Sequence, residues 1–134
     1  MQINNSTAFI TGASRGIGLA VSRELINAGA KVFLTSRSEH ELSVVCKKLD
    51  PNGDKAFYAV MDVTGSASVK IAISRALEVF GKIDILINNA GITSQQMVHM
   101  HDFSSAEKEI QINYLGTFLV SQTLLPVRLN AKEE

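Results

Sequence analysis

The segment TGASRGIG, Thr11 to Gly18, places three glycines within eight residues. The short β-prone run TAFIT (residues 7–11) precedes it, and apolar residues at helical spacing follow it. A glycine-rich turn between a strand and a helix brings free backbone N–H groups and the positive end of the helix dipole to one place. The segment therefore predicts a phosphate-binding loop, with tight packing alone as the alternative role of its glycines.

Each glycine of this loop has its own predicted task. Gly12 lets the chain turn sharply, Gly16 lets a pyrophosphate approach bare backbone, and Gly18 lets the helix pack closely on the sheet. The spacing is G-x-x-x-G-x-G, and no Gly-Lys-Ser/Thr follows, which excludes a nucleoside triphosphate P-loop. A dinucleotide is the expected ligand.

Strand and helix patterns alternate along the rest of the chain. Strands are predicted at residues 31–36, 55–61 and 83–88, each after a helical segment. The run Ile85-Leu86-Ile87 is apolar without alternation, which is typical of a strand buried on both faces of a parallel sheet. The pattern predicts an α/β fold, a doubly wound parallel sheet of the Rossmann type, truncated after about four β–α units, with strand order 3-2-1-4.

Helix boundaries are predicted from capping residues and proline. Two segments carry the S-x-x-E pattern of a capping box, Ser38 to Glu41 and Ser104 to Glu107. Pro126 is predicted to end the long last helix and to leave a polar tail, residues 126–134. Residues 1–134 then form a single dinucleotide-binding domain, incomplete at its C-terminus.

Composition excludes several classes of protein. The 134 residues carry 13 basic and 13 acidic side chains without a long run of one sign, so neither nucleic acid nor a membrane is an expected partner. No apolar stretch approaches the ~20 residues of a membrane span, and no signal-peptide pattern opens the chain. The single cysteine, Cys46, falls on the apolar stripe of a predicted helix and cannot form an internal disulfide. These features predict a cytoplasmic protein.

The end of the second strand bears on the choice of dinucleotide. Enzymes that read an unphosphorylated ribose place Asp or Glu there, ~20 residues beyond the glycines. Here that place holds Ser36 and Arg37, and Arg15 lies in the glycine loop. Two guanidinium groups suit a ribose 2′-phosphate, because arginine donates a planar fork of hydrogen bonds. The residues favour NADP(H) over NAD(H), and the alternative is that both arginines are solvated surface charges.

The histidines of MVHMH, His99 and His101, form a second candidate site. Two histidines at i and i+2, without a nearby cysteine or carboxylate cluster, make a weak metal site, so no metal ligand is predicted. Contact with a substrate or a partner is the favoured interpretation of this loop.

Three further motifs accompany the glycine loop: MDV (61–63) after the third strand, NNAG (88–91) after the fourth, and INYLGTF (112–118) in the last helix. Together they resemble the short-chain dehydrogenase/reductase family and look like its 3-oxoacyl-acyl-carrier-protein reductase-type members. The resemblance covers the N-terminal, cofactor-binding part of that family, from Thr7 to about Leu125. It implies hydride transfer between nicotinamide and a carbonyl or alcohol substrate.

The resemblance also implies the residues of the cofactor site. They are Gly12, Ser14, Arg15, Gly16, Ile17, Gly18, Arg37, Asp62, Val63, Asn89, Ala90 and Gly91. The glycine loop would bind the phosphates and the adenosine ribose, Arg37 the 2′-phosphate, and the pair 62–63 the adenine. Residues 89–91 would line the adenosine and ribose side of the cofactor.

The family handles protons with a tyrosine, a lysine four residues later, and a serine. Asn113 matches the asparagine of the family's catalytic helix, which holds a water in the proton relay; an amide that caps a helix kink is a compatible alternative. Neither Tyr58 nor Tyr114 has a lysine four residues later. A phenol of pKa ~10 needs such help near neutral pH. The chain is therefore expected to lack the catalytic Ser and Tyr-x-x-x-Lys and to be inactive alone.

Two alternatives to an oxidoreductase by descent remain open. One is a dinucleotide-binding module without turnover, and the other is a fragment that docks on an intact relative. Without a fifth strand, the apolar strand 83–87 becomes a sheet edge, which invites pairing with another chain. The last helix carries apolar residues around much of its surface and is typical of a helix buried on several sides. A homo-oligomer, or association through these two elements, is expected.

Overall fold

The computed structural model describes residues 2–130. Its strands are β1 (Thr7–Thr11), β2 (Lys31–Ser36), β3 (Ala56–Val60) and β4 (Ile85–Ile87). Its α-helices are α1 (Gly16–Asn27), α2 (Glu39–Leu49), α3 (Ser66–Phe80), α4 (Phe103–Ile110) and α5 (Thr117–Asn130). A 3₁₀ turn, Val98–Met100, precedes α4, and a π-helical segment, Gln111–Gly116, joins α4 to α5.

The four strands form one parallel sheet in the order β3-β2-β1-β4, which confirms the predicted α/β fold and strand order. Alternate residues of the central strands point to opposite faces. Phe9 and Phe33 belong to the core cluster that includes α3 and α5, whereas Ile10 and Leu34 belong to the cluster that includes α1 and α2. Helices therefore cover both faces, and this explains why the strands are apolar without alternation.

Aromatic rings fix α3 against the sheet. Phe9 and Phe33 stack with ring centroids 5.7 Å apart, and Phe80 meets Phe33 edge-on at 6.4 Å. Each such pair contributes about 1 kcal/mol beyond the area that it buries. The strand ends on which the candidate site is built are thus held by a packed core.

The start of α2 agrees only in part with the predicted capping box. The Ser38 Oγ accepts a hydrogen bond from the Glu41 N–H at 3.3 Å, as expected of the cap. The Glu41 carboxylate does not return the bond, because the Ser38 N–H donates to the Ser36 Oγ instead. The Glu41 side chain is therefore available for another partner.

The predicted capping box at Ser104 to Glu107 is wrong. Asp102 caps α4, and its Oδ1 accepts a hydrogen bond from the Ser105 N–H at 3.3 Å. Ser104 lies inside the helix, where its hydroxyl faces the Asp102 carboxylate at 3.4 Å. A carboxylate at the cap is favoured because the helix dipole stabilises negative charge there.

The predicted helix end at Pro126 is also wrong, because α5 continues through this residue to Asn130. The predicted tail is therefore helical over residues 126–130, and residues 131–134 lie outside the described part of the chain. Proline has no N–H for the carbonyl of Gln122, four residues earlier. Gln122 is exposed, so water can satisfy that carbonyl.

Cys46 is buried, as predicted, on the inner face of α2. Burial, together with the nearby charge of Asp50, raises the pKa of its thiol to about 11. The thiol is protonated at neutral pH and fills core volume.

Candidate functional site

The carboxyl ends of the four strands surround a cavity of about 380 Å³. Nine of the predicted site residues line it, namely Gly12, Ser14, Arg15, Arg37, Asp62, Val63, Asn89, Ala90 and Gly91. Four do not, namely Gly16, Ile17, Gly18 and Asn113. The cavity lies where the strand order reverses between β1 and β4, which is the usual ligand position in a doubly wound sheet.

The backbone of the glycine loop has the conformation expected of a phosphate-binding loop. Gly12 has a φ of +63°, and a Cβ built there would lie 2.9 Å from the Ala90 Cα. Gly16 has a φ of +57°, and a Cβ there would meet no atom within 4 Å, so an incoming group can approach its backbone. Gly18 packs against the Asn89 side chain, whose Nδ2 would lie 2.5 Å from an added Cβ. A side chain at position 12 or 18 would therefore clash with the residues that pack against the loop.

The first turn of α1 presents unpaired donors next to this loop. The helix begins at Gly16, and Leu19 is the residue whose N–H first reaches back, to the Arg15 carbonyl at 3.3 Å. Within residues 2–130, no side chain caps this helix start. Backbone N–H groups at the positive end of a helix can bind an anion.

Asn89 joins the glycine loop to the loop after β4. Its Nδ2 donates to the carbonyls of Thr11 and Gly12 at 3.2 Å and 2.9 Å. In the other direction, the Thr11 Oγ1 accepts from the N–H groups of Asn89 and Ala90 at 3.0 Å and 2.9 Å. Sequence reasoning missed Thr11, although a polar residue at the carboxyl end of a buried strand is a signal for such a role.

Asn113 lies in the π-helical segment and holds the next part of the same loop. Its Oδ1 accepts from the Ile92 N–H at 2.8 Å, and its Nδ2 donates to the Ile92 carbonyl at 2.7 Å. This reciprocal pair places Asn113 beside the cavity wall that Ile92 forms. The amide therefore bonds the backbone of a neighbouring loop rather than its own helix, and the water-holding role of Asn113 stays a prediction.

Positive charge gathers near the end of β2. Arg15 and Arg37 are exposed and line the cavity, and within residues 2–130 neither forms a salt bridge. Hydrogen bonds from the Thr64 hydroxyl and N–H, at 2.7 Å and 2.9 Å, hold the pKa of Asp62 below its usual value, and the charge of Arg37 lowers it further. Asp62 is therefore ionised at neutral pH, with its oxygen engaged by Thr64.

Glu41 is a cavity residue that sequence reasoning missed. Its Oε2 accepts a hydrogen bond of 2.8 Å from the Ser14 Oγ, which ties α2 to the glycine loop. The two residues are 27 positions apart, so no local pattern connects them. The available signal was the place of Glu41 in the first turn of the helix that follows β2.

The histidine loop does not form a metal site in the described part of the chain, where no group of three or more His, Cys, Asp or Glu side chains could hold an ion. His101 Nε2 lies 3.1 Å from the Ser94 Oγ and 3.8 Å from the Glu109 Oε1. His99 is exposed. Hydrogen bonds from Ser94 lower the pKa of Glu109, with a smaller effect from His101. The cluster fastens the loop to α4.

Residues 6–133 match the sequence profile of the family described as short chain dehydrogenase. The chain belongs to this family. An uncharacterized oxidoreductase of Staphylococcus saprophyticus is 34% identical over 131 residues, which cover 97% of this chain and 56% of the relative. Human dehydrogenase/reductase SDR family member 7 is 30% identical over 136 residues, which cover 98% of this chain and 40% of the relative.

Solved structures of two oxidoreductases share the fold. A 3-ketoacyl-(acyl-carrier-protein) reductase from Brucella melitensis, complexed with NADH, superposes with a TM-score of 0.87 at 31% identity, over 92% of this chain and 50% of its own. An alcohol dehydrogenase from Thermococcus sibiricus, complexed with 5-hydroxy-NADP, gives 0.85 at 31% identity, over 92% and 53%. The chain thus spans about half the length of the relatives that it matches.

These comparisons confirm the predicted resemblance to the short-chain dehydrogenase family and its nicotinamide dinucleotide-binding fold. Among residues 2–130, no helix combines the length and the apolar character that crossing a membrane would require.

Proposed function

We propose that this chain binds NADP(H) in the cavity at the carboxyl edge of the sheet. The observation that carries the proposal is that Gly12 and Ser14 of the glycine loop line one cavity with two arginines, next to the open start of α1. The end of β2 carries Ser36 and Arg37 in place of the carboxylate that reads an unphosphorylated ribose. We assign the protein to the cytoplasm.

Different residues of the cavity would bind different parts of the cofactor. The pyrophosphate would lie on the backbone from Gly12 to Gly18, and the 2′-phosphate between Arg15 and Arg37. The adenine would lie against Asp62 and Val63. Residues 89–91 would line the adenosine and ribose side of the cofactor. The bound cofactor supplies or accepts a hydride.

Turnover is a separate matter from binding. We propose a carbonyl or alcohol substrate for the complete catalytic unit, with Asn113 as the residue that holds a water of the proton relay. Neither Tyr58 nor Tyr114 has a lysine four residues later, so neither matches the tyrosine–lysine pair that exchanges the proton in the family. The chain by itself then binds the cofactor without consuming it.

Fluorescence titration with NADPH and NADH tests the binding proposal. Wild-type protein should bind NADPH more tightly than NADH. Arg37→Gln should weaken NADPH binding by about tenfold or more, because a charge-assisted hydrogen bond contributes about 1.5–3 kcal/mol. Arg23→Gln is the matched control, since Arg23 is an exposed arginine of α1 away from the cavity. Equal affinity for both nucleotides would contradict NADP(H) preference, and no binding would contradict the proposal as a whole.

The turnover proposal is tested by adding a small β-keto ester to the NADPH complex and following NADPH absorbance. No decrease is expected from the purified chain. Consumption that follows the protein through successive purification steps would show that a proton donor is present after all.

A second candidate function is association with another chain. Phe118 and Leu125 of α5 are 58% and 56% exposed, and Leu86 of the edge strand β4 lies in the same apolar groove. We propose that this groove pairs two copies or docks the chain on an intact relative. The NADP(H) cavity lies at the strand ends, so the two functions are compatible.

A further inference from the structure

The Glu41 side chain does not complete the predicted capping box of α2 and lines the candidate cofactor cavity instead. Glu41 accepts a 2.8 Å hydrogen bond from the hydroxyl of Ser14, which is itself buried in the glycine loop. The bond holds a carboxylate at the cavity wall. A flexible glutamate on a helix surface would otherwise extend into solvent.

The charge of this carboxylate is not neutralised locally. Within residues 2–130, Glu41 forms no salt bridge, and Arg15 and Arg37 form none with it. Ser36, Arg37 and Ser38 line the same end of the cavity, which is where the proposed 2′-phosphate would lie. A phosphate monoester carries close to two negative charges at neutral pH.

We infer that Glu41 is a specificity-determining residue that opposes the 2′-phosphate and so limits the preference for NADP(H) over NAD(H). This inference rests on the proposed binding of NADP(H) and names a further residue of the same site. Arg15 and Arg37 attract the phosphate, whereas Glu41 repels it. A ribose with a free 2′-hydroxyl carries no charge for Glu41 to repel, so Glu41 weakens the binding of NADP(H) more than the binding of NAD(H).

The test uses ligands that reach only the adenosine end of the cavity. Adenosine 2′,5′-bisphosphate and adenosine 5′-monophosphate are titrated calorimetrically into wild-type protein and the variant Glu41→Gln at low ionic strength. Glutamine keeps an acceptor for Ser14 and removes the charge. The variant should bind the bisphosphate at least about fivefold more tightly, since like charges several ångströms apart repel by that much near a protein surface. Binding of the monophosphate, whose single phosphate would lie on the glycine loop, should improve by a smaller factor, so the ratio of the two affinities should rise.

Glu39→Gln is the matched control. Glu39 lies in the same first turn of α2 and is exposed, but it does not line the cavity. Removal of its charge should leave the affinity ratio of the two ligands unchanged. Thermal melts of both variants should match the wild-type melt, so that changed affinity reports the cavity.

Four outcomes would overturn the inference. An unchanged affinity ratio in Glu41→Gln, or an equal change in Glu39→Gln, would remove the specific role of Glu41 and leave the proposed NADP(H) binding intact. Weaker bisphosphate binding by Glu41→Gln would mean that Glu41 supports the phosphate site. Failure of the wild-type protein to bind either adenosine ligand or NADPH would overturn this inference and the proposed function together.

Discussion

At the scale of single residues, Asn89 and Thr11 join two of the loops that line the cavity. Their hydrogen bonds cross from the end of β1 to the loop after β4, 78 positions away in sequence. A side-chain amide is required because it donates to two carbonyls at once. The two loops that we propose bind the cofactor are thus held by side chains before any ligand arrives.

Asn89→Ala should lower the free energy of unfolding by about 2 kcal/mol, because two hydrogen bonds are lost and two carbonyls are left partly buried. Urea unfolding measures the change. Asn88→Ala is the matched control, since Asn88 is exposed and its single side-chain hydrogen bond is to Ser121. A loss as large in the control would show that Asn89 has no special role in joining the loops.

Asp50 makes the folding stability of the chain depend on pH. Burial raises the pKa of this carboxyl, but hydrogen bonds from the N–H groups of Lys55 and Ala56 outweigh it, so the pKa is lowered from its ordinary 3.8. A carboxyl whose pKa is lower in the folded than in the unfolded protein stabilises the fold at a pH above its unfolded-state pKa. This stabilisation is lost as the pH falls through the folded-state pKa.

Asp50→Asn should therefore be less stable than the wild-type protein at pH 7, and the difference should shrink as the pH falls below about 4. Thermal melts across this pH range measure the difference. The control is Asp54→Asn, in the exposed part of the same turn. A difference that stays constant with pH would mean that the charge of Asp50 is not what stabilises the turn.

At the scale of elements, the π-helical segment positions the floor of the cavity. Gly116 approaches Val63 so closely that an added Cβ would lie 2.6 Å from the Val63 Cγ2. Val63 lines the cavity, and Asn113 of the same segment holds Ile92. The π-helical segment between α4 and α5 therefore contacts two residues that line the cavity, Val63 and Ile92.

Gly116→Ala should destabilise the fold by about 1–3 kcal/mol, because the new methyl group overpacks against Val63. The sign is informative, since the same substitution in an unconstrained helix stabilises by about 1 kcal/mol. The second substitution Val63→Ala should recover part of the loss in a double-mutant cycle measured by urea unfolding. Additive losses would contradict the close packing of these two residues.

Strands and their order could be predicted from sequence because apolar runs bounded by glycine and polar residues are local signals. The limits of β1 and β2 match the predicted ones, whereas β3 and β4 are shorter than predicted because each lies at an edge of the sheet and pairs on one side only. The end of α5 could not be predicted, because the cost of Pro126 depends on exposure of the Gln122 carbonyl, which is a tertiary property.

The motifs of the site could be predicted, but their connections could not. The glycine loop and the loop after β4 carry recognisable sequence patterns, and the structure brings nine predicted residues to one cavity. The contacts of Glu41 with Ser14 and of Asn113 with Ile92 depend on where side chains from distant segments meet. Such contacts leave no periodic or local trace in one sequence.

At the scale of the whole molecule, the β4 edge of the sheet has no further strand paired with it in the described part of the chain. The strand β4 is an edge, and its own three residues are only partly buried. Beside it, Phe118 of α5 lines the same groove as Leu86 of β4 and is 58% exposed. Exposed apolar surface next to an open strand edge favours association with another chain.

Phe118→Glu should convert a self-associated wild-type protein to a monomer, because a buried charge in an apolar interface is strongly unfavourable. Light scattering coupled to size-exclusion chromatography over a concentration series measures the mass. Val44→Glu makes the same apolar-to-acid change on α2, at the other face of the sheet, and should leave the mass unchanged. A monomeric wild-type protein at all concentrations would contradict self-association.

The proposed dinucleotide should bind with its pyrophosphate on the backbone of the glycine loop. An NMR titration of the ¹⁵N-labelled chain with NADPH tests this most directly, since each amide reports its own surroundings. The amides of residues 12–18 and 89–91 should show the largest saturable shifts, followed by Arg37, while those of α5 stay in place. Shifts confined to α5, or none among residues 12–18, would contradict the claim.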